Sequence, residues 1–274
     1  MQLRFHPKTT AYLKQLSAFL PQAVLLTGTA GSGLATLARH IAATNGTLLS
    51  FLETTTKSST SSLASIRVEQ IRELYLGARS HFEQPHFIII DDADTMNHVA
   101  QNALLKLLEE PNSSIHFILT SHSPDLLLST IRSRLQVFSV PPISELDSRR
   151  ILTAQSVTSE LDERRLLYIA NGLPAELTRL ATNDTDRSDL FERVQQARRF
   201  VEGSTYERLT IAQSLKDDRR GAIELIRLIV LLLRRSIKPD TSRKPIEQID
   251  SLLHAADSIR ANGNVRLHLA AAVL

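Results

Sequence analysis

Gly28-Thr29-Ala30-Gly31-Ser32-Gly33-Leu34-Ala35 sets three glycines at the spacing of a phosphate-cradling P-loop. Such a loop works because glycines let successive backbone N–H groups converge on an anion at the N-terminus of the following helix. The implied chemistry is nucleotide binding, with Gly28, Gly31 and Gly33 as the cradle. Two demanding positions depart from it: Leu34 stands where a lysine reaches the β and γ phosphates, and Ala35 where a hydroxyl holds magnesium. Thr36 does not replace that hydroxyl, because one residue further along a helix is rotated by roughly 100°. The same residues also suit a glycine-rich strand-to-helix turn without a ligand, and the loop alone leaves both readings open.

A second candidate follows an apolar run, in Phe87-Ile88-Ile89-Ile90-Asp91-Asp92-Ala93-Asp94. At the end of a strand facing a P-loop, the first acid, Asp91, holds magnesium indirectly, and the second, Asp92, orients the attacking water. An aspartate in place of the usual glutamate is one methylene short, which matters where geometry must hold to about an ångström. The other reading is that Asp91 to Asp94 cap the next helix, with Val99, Ala103 and Leu107 on its apolar face. Nine histidines are scattered through the chain, and His81, His86, His116 and His122 show no ligand spacing, so incidental positions and no metal site are expected.

The elements that carry these motifs alternate. Short apolar runs at Ala23–Leu26, Leu48–Phe51, Phe87–Ile90, Ile115–Leu119 and Gln136–Val140 read as strands buried on both faces of a parallel sheet. A helix with Val68, Ile71, Tyr75 and Ala78 at helical spacing is expected behind Ser65 as its cap. Pro141-Pro142 closes the α/β part. Helices follow over Asp147–Ser156 and Leu161–Asn171, then one containing Leu177 and Leu180 after Gly172-Leu173-Pro174, and everything from Asp189 onward is helical, broken near Gly203, 238–245 and 261–264. The expected domains are residues 1–142, α/β; 143–187, small and helical; and 188–274, larger and helical. The stretch Ile223–Ile237 is apolar on more than one face, which fits an interior helix, burial against other subunits, or both.

Composition narrows the classes. The chain has 274 residues, 42% hydrophobic and 22% charged, with a net charge of +3, which excludes a disordered chain and gives no argument for nucleic-acid binding by charge. With no cysteine, disulfides, cysteine-ligated zinc and thiol catalysis are excluded. The most apolar stretch, Leu228–Leu233, lies between Arg227 and Arg234, too short to span a bilayer, and a cytoplasmic protein with no membrane partner is expected.

Three further segments carry a resemblance. Asp91-Asp92-Ala93-Asp94-Thr95-Met96, Gln101-Asn102-Ala103-Leu104-Leu105-Lys106-Leu107-Leu108-Glu109-Glu110-Pro111 and Ile131-Arg132-Ser133-Arg134-Leu135-Gln136 look like the AAA+ clamp-loader subunits of bacterial DNA polymerase III. Val68–Leu74 and Ala261–Leu267 agree, so the resemblance touches all three expected domains. It implies an AAA+ P-loop module with a parallel five-stranded sheet, a helical lid and a helical collar that holds five subunits in a ring. It implies as partners gamma/tau-type ATPase subunits, a delta-type clamp-opening subunit, the sliding clamp and, through the complex, primer-template DNA. ATP and magnesium would act at neighbouring subunits, with no cofactor in this chain.

In that family a Ser-Arg-Cys motif carries an arginine finger for the neighbour's ATP site. Here it reads Ser133-Arg134-Leu135, so Ser133 and Arg134 are the implied catalytic residues in trans. The family's polar sensor falls in Thr120-Ser121-His122-Ser123-Pro124, and Glu176 takes the place of a second phosphate-sensing arginine. Leu34, Ala35, Asp92 and Glu176 all weaken the chain's own site while Arg134 is kept, which is the asymmetry of the delta-prime type, not itself an active ATPase. The alternatives are an active gamma/tau-type ATPase and a non-catalytic DNA-binding or scaffold protein on the same fold. The family's four-cysteine zinc module is replaced here by the Ser/Thr-rich stretch Thr54–Ser62.

Overall fold

The computed structural model of the chain describes residues 3–54, 65–78, 82–109, 112–157, 159–237, 244–260 and 263–272. Most of the Thr54–Ser62 stretch, His81, Glu110-Pro111 and Ala261-Asn262 lie outside the described residues. The chain divides into two units, Met1–Thr182 and Asn183–Leu274.

In the first unit α1 (Pro7–Ala18), β1 (Ala23–Thr27), α2 (Leu34–Asn45), β2 (Thr47–Leu52), α3 (Val68–Ala78), β3 (His86–Ile90), α4 (His98–Glu109), β4 (Ile115–Ser121), α5 (Ser129–Arg132) and β5 (Gln136–Ser139) precede three helices, α6 (Glu145–Ala154), α7 (Glu160–Ala170) and α8 (Pro174–Thr182). The sheet is parallel throughout, in the order β2-β3-β4-β1-β5. Its alternating side chains divide between two cores. Leu25, Ile88, Ile90, Phe117 and Leu119 pack with Ile71, Ala100 and Leu104 of α3 and α4 on one face. Leu26, Ile89 and Ile118 pack with Tyr12, Leu37 and Ile41 of α1 and α2 on the other.

Three expectations change here. β2 and β5 are edge strands, and Leu48, Leu49 and Val137 are 41%, 36% and 55% exposed, because only one neighbour covers them. α4 starts later than an Asp91–Asp94 cap requires, and its buried face is Ala100, Leu104, Leu107 and Leu108, with Ala103 partly buried beside it and Val99 58% exposed. Asn97 Oδ1 accepts from Ala100 N at 2.9 Å and caps it instead. Ser65 likewise sits in a β-bridge before α3, and Gln70 takes the Arg67 N–H at 2.9 Å.

α6, α7 and α8 pack together within the first unit, with Ser144 and Ser159 capping α6 and α7 and with Leu177 and Leu180 of α8 buried. The second unit holds α9 (Asp184–Glu202), α10 (Thr205–Ser214), α11 (Arg219–Ser236), α12 (Lys244–Arg260) and α13 (Val265–Ala271). α11 packs against both α9 and α12, and its Ile226, Ile229, Val230 and Leu233 are buried, as an interior helix requires. No helix among the described residues is long and apolar enough to cross a membrane.

Candidate functional site

The sheet order brings three loops to one edge. The P-loop follows β1, the polar segment Thr120–Pro124 runs from the last two residues of β4 beside it, and Asp91-Asp92 follow β3 on the next strand over. Ligands of open parallel sheets bind at this carboxyl edge.

The loop has the backbone of a phosphate cradle. Gly31 and Gly33 have φ of +88° and +83°, the left-handed region that a residue with a Cβ rarely adopts, and Gly33 leads directly into α2. The side chains tell another story. Leu34 is 3% exposed and packs into the core with Leu26 and Val140, and a Cβ on Gly28 would meet its Cδ2 at 3.3 Å. Where a lysine ammonium would reach phosphate, this chain therefore puts an alkyl group under the loop. The Gly31 carbonyl accepts from Ala175 N at 3.0 Å and Glu176 N at 3.2 Å, so the N-terminus of α8 is docked on the loop. The Glu176 carboxylate takes two bonds from Arg179 Nη2, at 3.0 and 3.1 Å. A largely apolar cleft of about 390 Å³ opens beside the loop, lined by Arg4, Phe5, Ser32, Thr36, Ile151 and Thr178 among others.

At the acid pair, Thr120 Oγ1 donates to Asp91 Oδ1 at 2.6 Å and accepts from Asp92 N at 2.9 Å, joining the ends of β3 and β4. Asp92 is in the left-handed region at φ 50°, a conformation aspartate tolerates better than most residues. Its carboxyl is pushed above the usual range by burial and by the neighbouring Asp91 and Asp94 charges, against the opposing pull of His122. Asp94 Oδ2 accepts from Ser123 N at 3.0 Å, while its Oδ1 and Ser32 Oγ are buried without a partner.

His122 is the residue that sequence reasoning passed over. Its Nδ1 lies 2.7 Å from the Gly28 carbonyl, which requires an N–H there, and its Nε2 lies 3.6 Å from Asp92 Oδ1. The imidazole thus spans from the P-loop to the acid pair. The only sequence signal was its place in the polar segment after β4. Of the other histidines, His86 and His116 bond backbone carbonyls, and no group of three or more potential metal ligands occurs among the described residues.

Ser133 and Arg134 lie apart from this constellation, after α5. Arg134 Nη2 donates to Glu109 Oε1 at 3.0 Å and Nη1 to the Thr130 carbonyl at 2.8 Å. Its side chain is 38% exposed. The Ser133 hydroxyl donates to the same Thr130 carbonyl at 3.0 Å.

The strand order, the P-loop turn and the acids on the adjacent loops define an α/β protein with a P-loop-type parallel sheet. A gamma subunit-related protein of DNA polymerase III from Thermotoga maritima shares this fold, with a TM-score of 0.51 at 15% identity over 97% of each chain. Within that class, residues 47–144 match the family model described as DNA polymerase III, delta subunit. The chain is similar to the delta-prime subunits of DNA polymerase III from Pseudomonas aeruginosa, 34% identical over 119 residues, and Bacillus subtilis, 33% over 125. These stretches are 42% and 45% of this chain, and 36% of each relative's length. A gamma subunit from Buchnera aphidicola is 33% identical over 150 residues, 45% of this chain and 39% of the relative. The resemblance is thus to delta-prime and gamma subunits of DNA polymerase III, and the matched segments span little more than a third of those relatives.

Proposed function

We propose that this chain is a delta-prime-type subunit of a DNA polymerase III clamp loader, one that does not turn over ATP at its own P-loop and supplies Arg134 to the ATP site of a neighbouring ATPase subunit. The observation that carries this reading is Leu34. A residue 3% exposed and packed in the core cannot reach a phosphate, and no lysine stands elsewhere in the loop. Ala35 has no hydroxyl for magnesium, and the P-loop's Gly31 carbonyl and the acid pair are already engaged by α8, Thr120 and His122. The residues present, Gly28, Gly31, Gly33 and Asp91 included, do not fit a magnesium nucleotide held in the productive way.

Arg134 provides what the neighbour needs. A guanidinium delocalises its charge and offers paired N–H donors to the equatorial oxygens of a phosphoryl group in transfer. Ser133 orders the turn behind it through the Thr130 carbonyl. The partners on this reading are gamma/tau-type ATPase subunits, a delta-type clamp-opening subunit, the sliding clamp and, through the assembly, primer-template DNA. The helical unit Asn183–Leu274 serves as the collar; Tyr206 of α10 and Leu267 of α13, 79% and 66% exposed, suit burial against other subunits.

The test is reconstitution with ATPase subunits. Arg134→Ala is expected to leave assembly intact and lower the ATPase rate of the complex by up to about 10³-fold. Unchanged turnover refutes the assignment of Arg134. Micromolar, magnesium-dependent ATP binding with turnover by the free chain refutes the inactive P-loop and favours a gamma-type ATPase, the reading that the gamma relative supports.

A further inference from the structure

Arg134 does not hang free from its turn. Glu109, the last residue of α4, receives Nη2, while Nη1 is fixed to the Thr130 carbonyl. Two of the five guanidinium N–H groups are thereby used and three remain for an incoming anion. Glu109 and Arg134 are 44% and 38% exposed, so the pair is open to a partner's surface. An exposed ion pair adds little to folding, and its consequence is orientation: a long flexible side chain is held in one geometry before the partner arrives.

The other end of α4 is anchored to the candidate nucleotide site. Gln101 is 2% exposed; its amide donates to the carbonyls of Met96 at 3.0 Å and Leu126 at 3.2 Å, and its Oε1 accepts from Leu128 N at 2.8 Å. Met96 follows the acid pair, and Leu126 and Leu128 lead into α5 and Arg134. Glu109 therefore stands on a helix whose position is fixed by buried hydrogen bonds, which makes it a firm support for the guanidinium.

We infer that Glu109 is a positioning residue for Arg134: it pre-orients the guanidinium for the phosphoryl group at a neighbouring subunit's ATP site. This rests on the reading of Arg134 as a finger offered in trans. It predicts a loss in kcat, because the contact matters most in the transition state, with KM for magnesium-ATP held by groups of the other subunit.

The experiment is steady-state ATPase kinetics of the reconstituted complex carrying Arg134→Ala, Glu109→Ala, Glu109→Gln or the double alanine variant, with assembly followed by gel filtration. Glu109→Ala is expected to lower kcat by about three- to tenfold with KM changed less than about twofold, the range a loosened but intact finger gives. Glu109→Gln keeps an acceptor oxygen in the same place and is expected to recover at least half of the lost rate. The double variant is expected to be no slower than Arg134→Ala, because the two residues act as one device. If Glu109→Ala and Glu109→Gln turn over at or above the wild-type rate while Arg134→Ala is slow, the inference is overturned and the finger stands. If Arg134→Ala itself is fully active, the finger falls and the inference with it. Should Glu109→Ala fail to assemble, Glu109→Lys, which repels the guanidinium, decides in its place: a kcat loss smaller than that of Arg134→Ala at unchanged KM supports positioning, and the wild-type rate overturns it.

Discussion

Leu34→Lys restores the residue that a phosphate-cradling loop ordinarily carries, and the structure says what it would do. Leu34 is 3% exposed, within the cluster formed by Leu26, Leu37, Ala38 and Val140. Fully burying a leucine side chain contributes about 1.5–3 kcal/mol, part of which the lysine stem retains. Bringing an ammonium into that space adds a desolvation cost, reduced if the stem bends out towards the loop. The balance is a loss of about 2–4 kcal/mol. For a unit the size of Met1–Thr182, each kcal/mol shifts the midpoint by about 2–4 °C, so thermal unfolding should fall by about 4–16 °C. The paired assay is a magnesium-ATP titration with a phosphate-release readout on the same preparation. The substitution is expected to confer no turnover, because Ala35 still offers magnesium no hydroxyl and His122 still spans from Gly28 to Asp92. An unchanged melting temperature together with new magnesium-dependent turnover refutes the reasoning, since Leu34 would then stand at a latent catalytic position and not in the core.

Gly31→Ala forces a Cβ to 2.9 Å from Glu176 Cβ at a φ of +88°. A cost of about 1–3 kcal/mol is expected in equilibrium unfolding, with faster amide exchange at Ala175 and Glu176, and wild-type stability would show that α8 does not dock on the loop as described. Asp92→Asn tests the electrostatics. Because the folded-state pKa of Asp92 is raised, the native state binds the proton more tightly, so stability is greatest below the ordinary aspartate pKa and declines as pH rises through the folded value. The asparagine variant should therefore gain on the wild type between mildly acidic and neutral pH and run parallel to it at lower pH, in denaturant melts across the range. A constant difference at all pH values would mean that burial and the Asp91 and Asp94 charges do not raise the carboxyl's pKa.

The parallel sheet was legible because central strands have to be apolar on both faces, and Ile88, Ile89 and Ile90 are each fully buried. The edges were not, because a run such as Leu48-Leu49 has the composition of a central strand, and whether a second neighbour covers it depends on chain order in space. The start of α4 slipped for a local reason: Asp94 invites a cap reading, but its carboxylate bonds Ser123 N and leaves the helix start to Asn97. Glycine and acid motifs announced the candidate site, since their spacing is set within single loops. His122 escaped because its partners, Gly28 and Asp92, are remote in sequence, and only the order β3-β4-β1 brings them together. Glu109 escaped for the same reason, as its bond to Arg134 joins the ends of two elements separated by β4.

Charge explains why the proposed division of labour suits this chain. Asp91, Asp92 and Asp94 follow one another on a single loop, and the P-loop facing them contributes no lysine. What offsets the carboxylates is hydrogen bonding from Thr120 and Ser123 and the imidazole of His122, all of which belong to the protein itself. A polyphosphate entering there would add negative charge beside three carboxylates with no lysine in the loop to receive it, and like charges in a partly buried site repel strongly. Arg134 presents the opposite condition. It is a permanent cation, partly exposed and bonded to Glu109 at the end of α4, and on the proposed function it acts on an anion that another subunit holds. On the proposed function, a core leucine at the chain's own phosphate site and an exposed Arg134 divide the work, so that the cation serves a phosphate held by a neighbour.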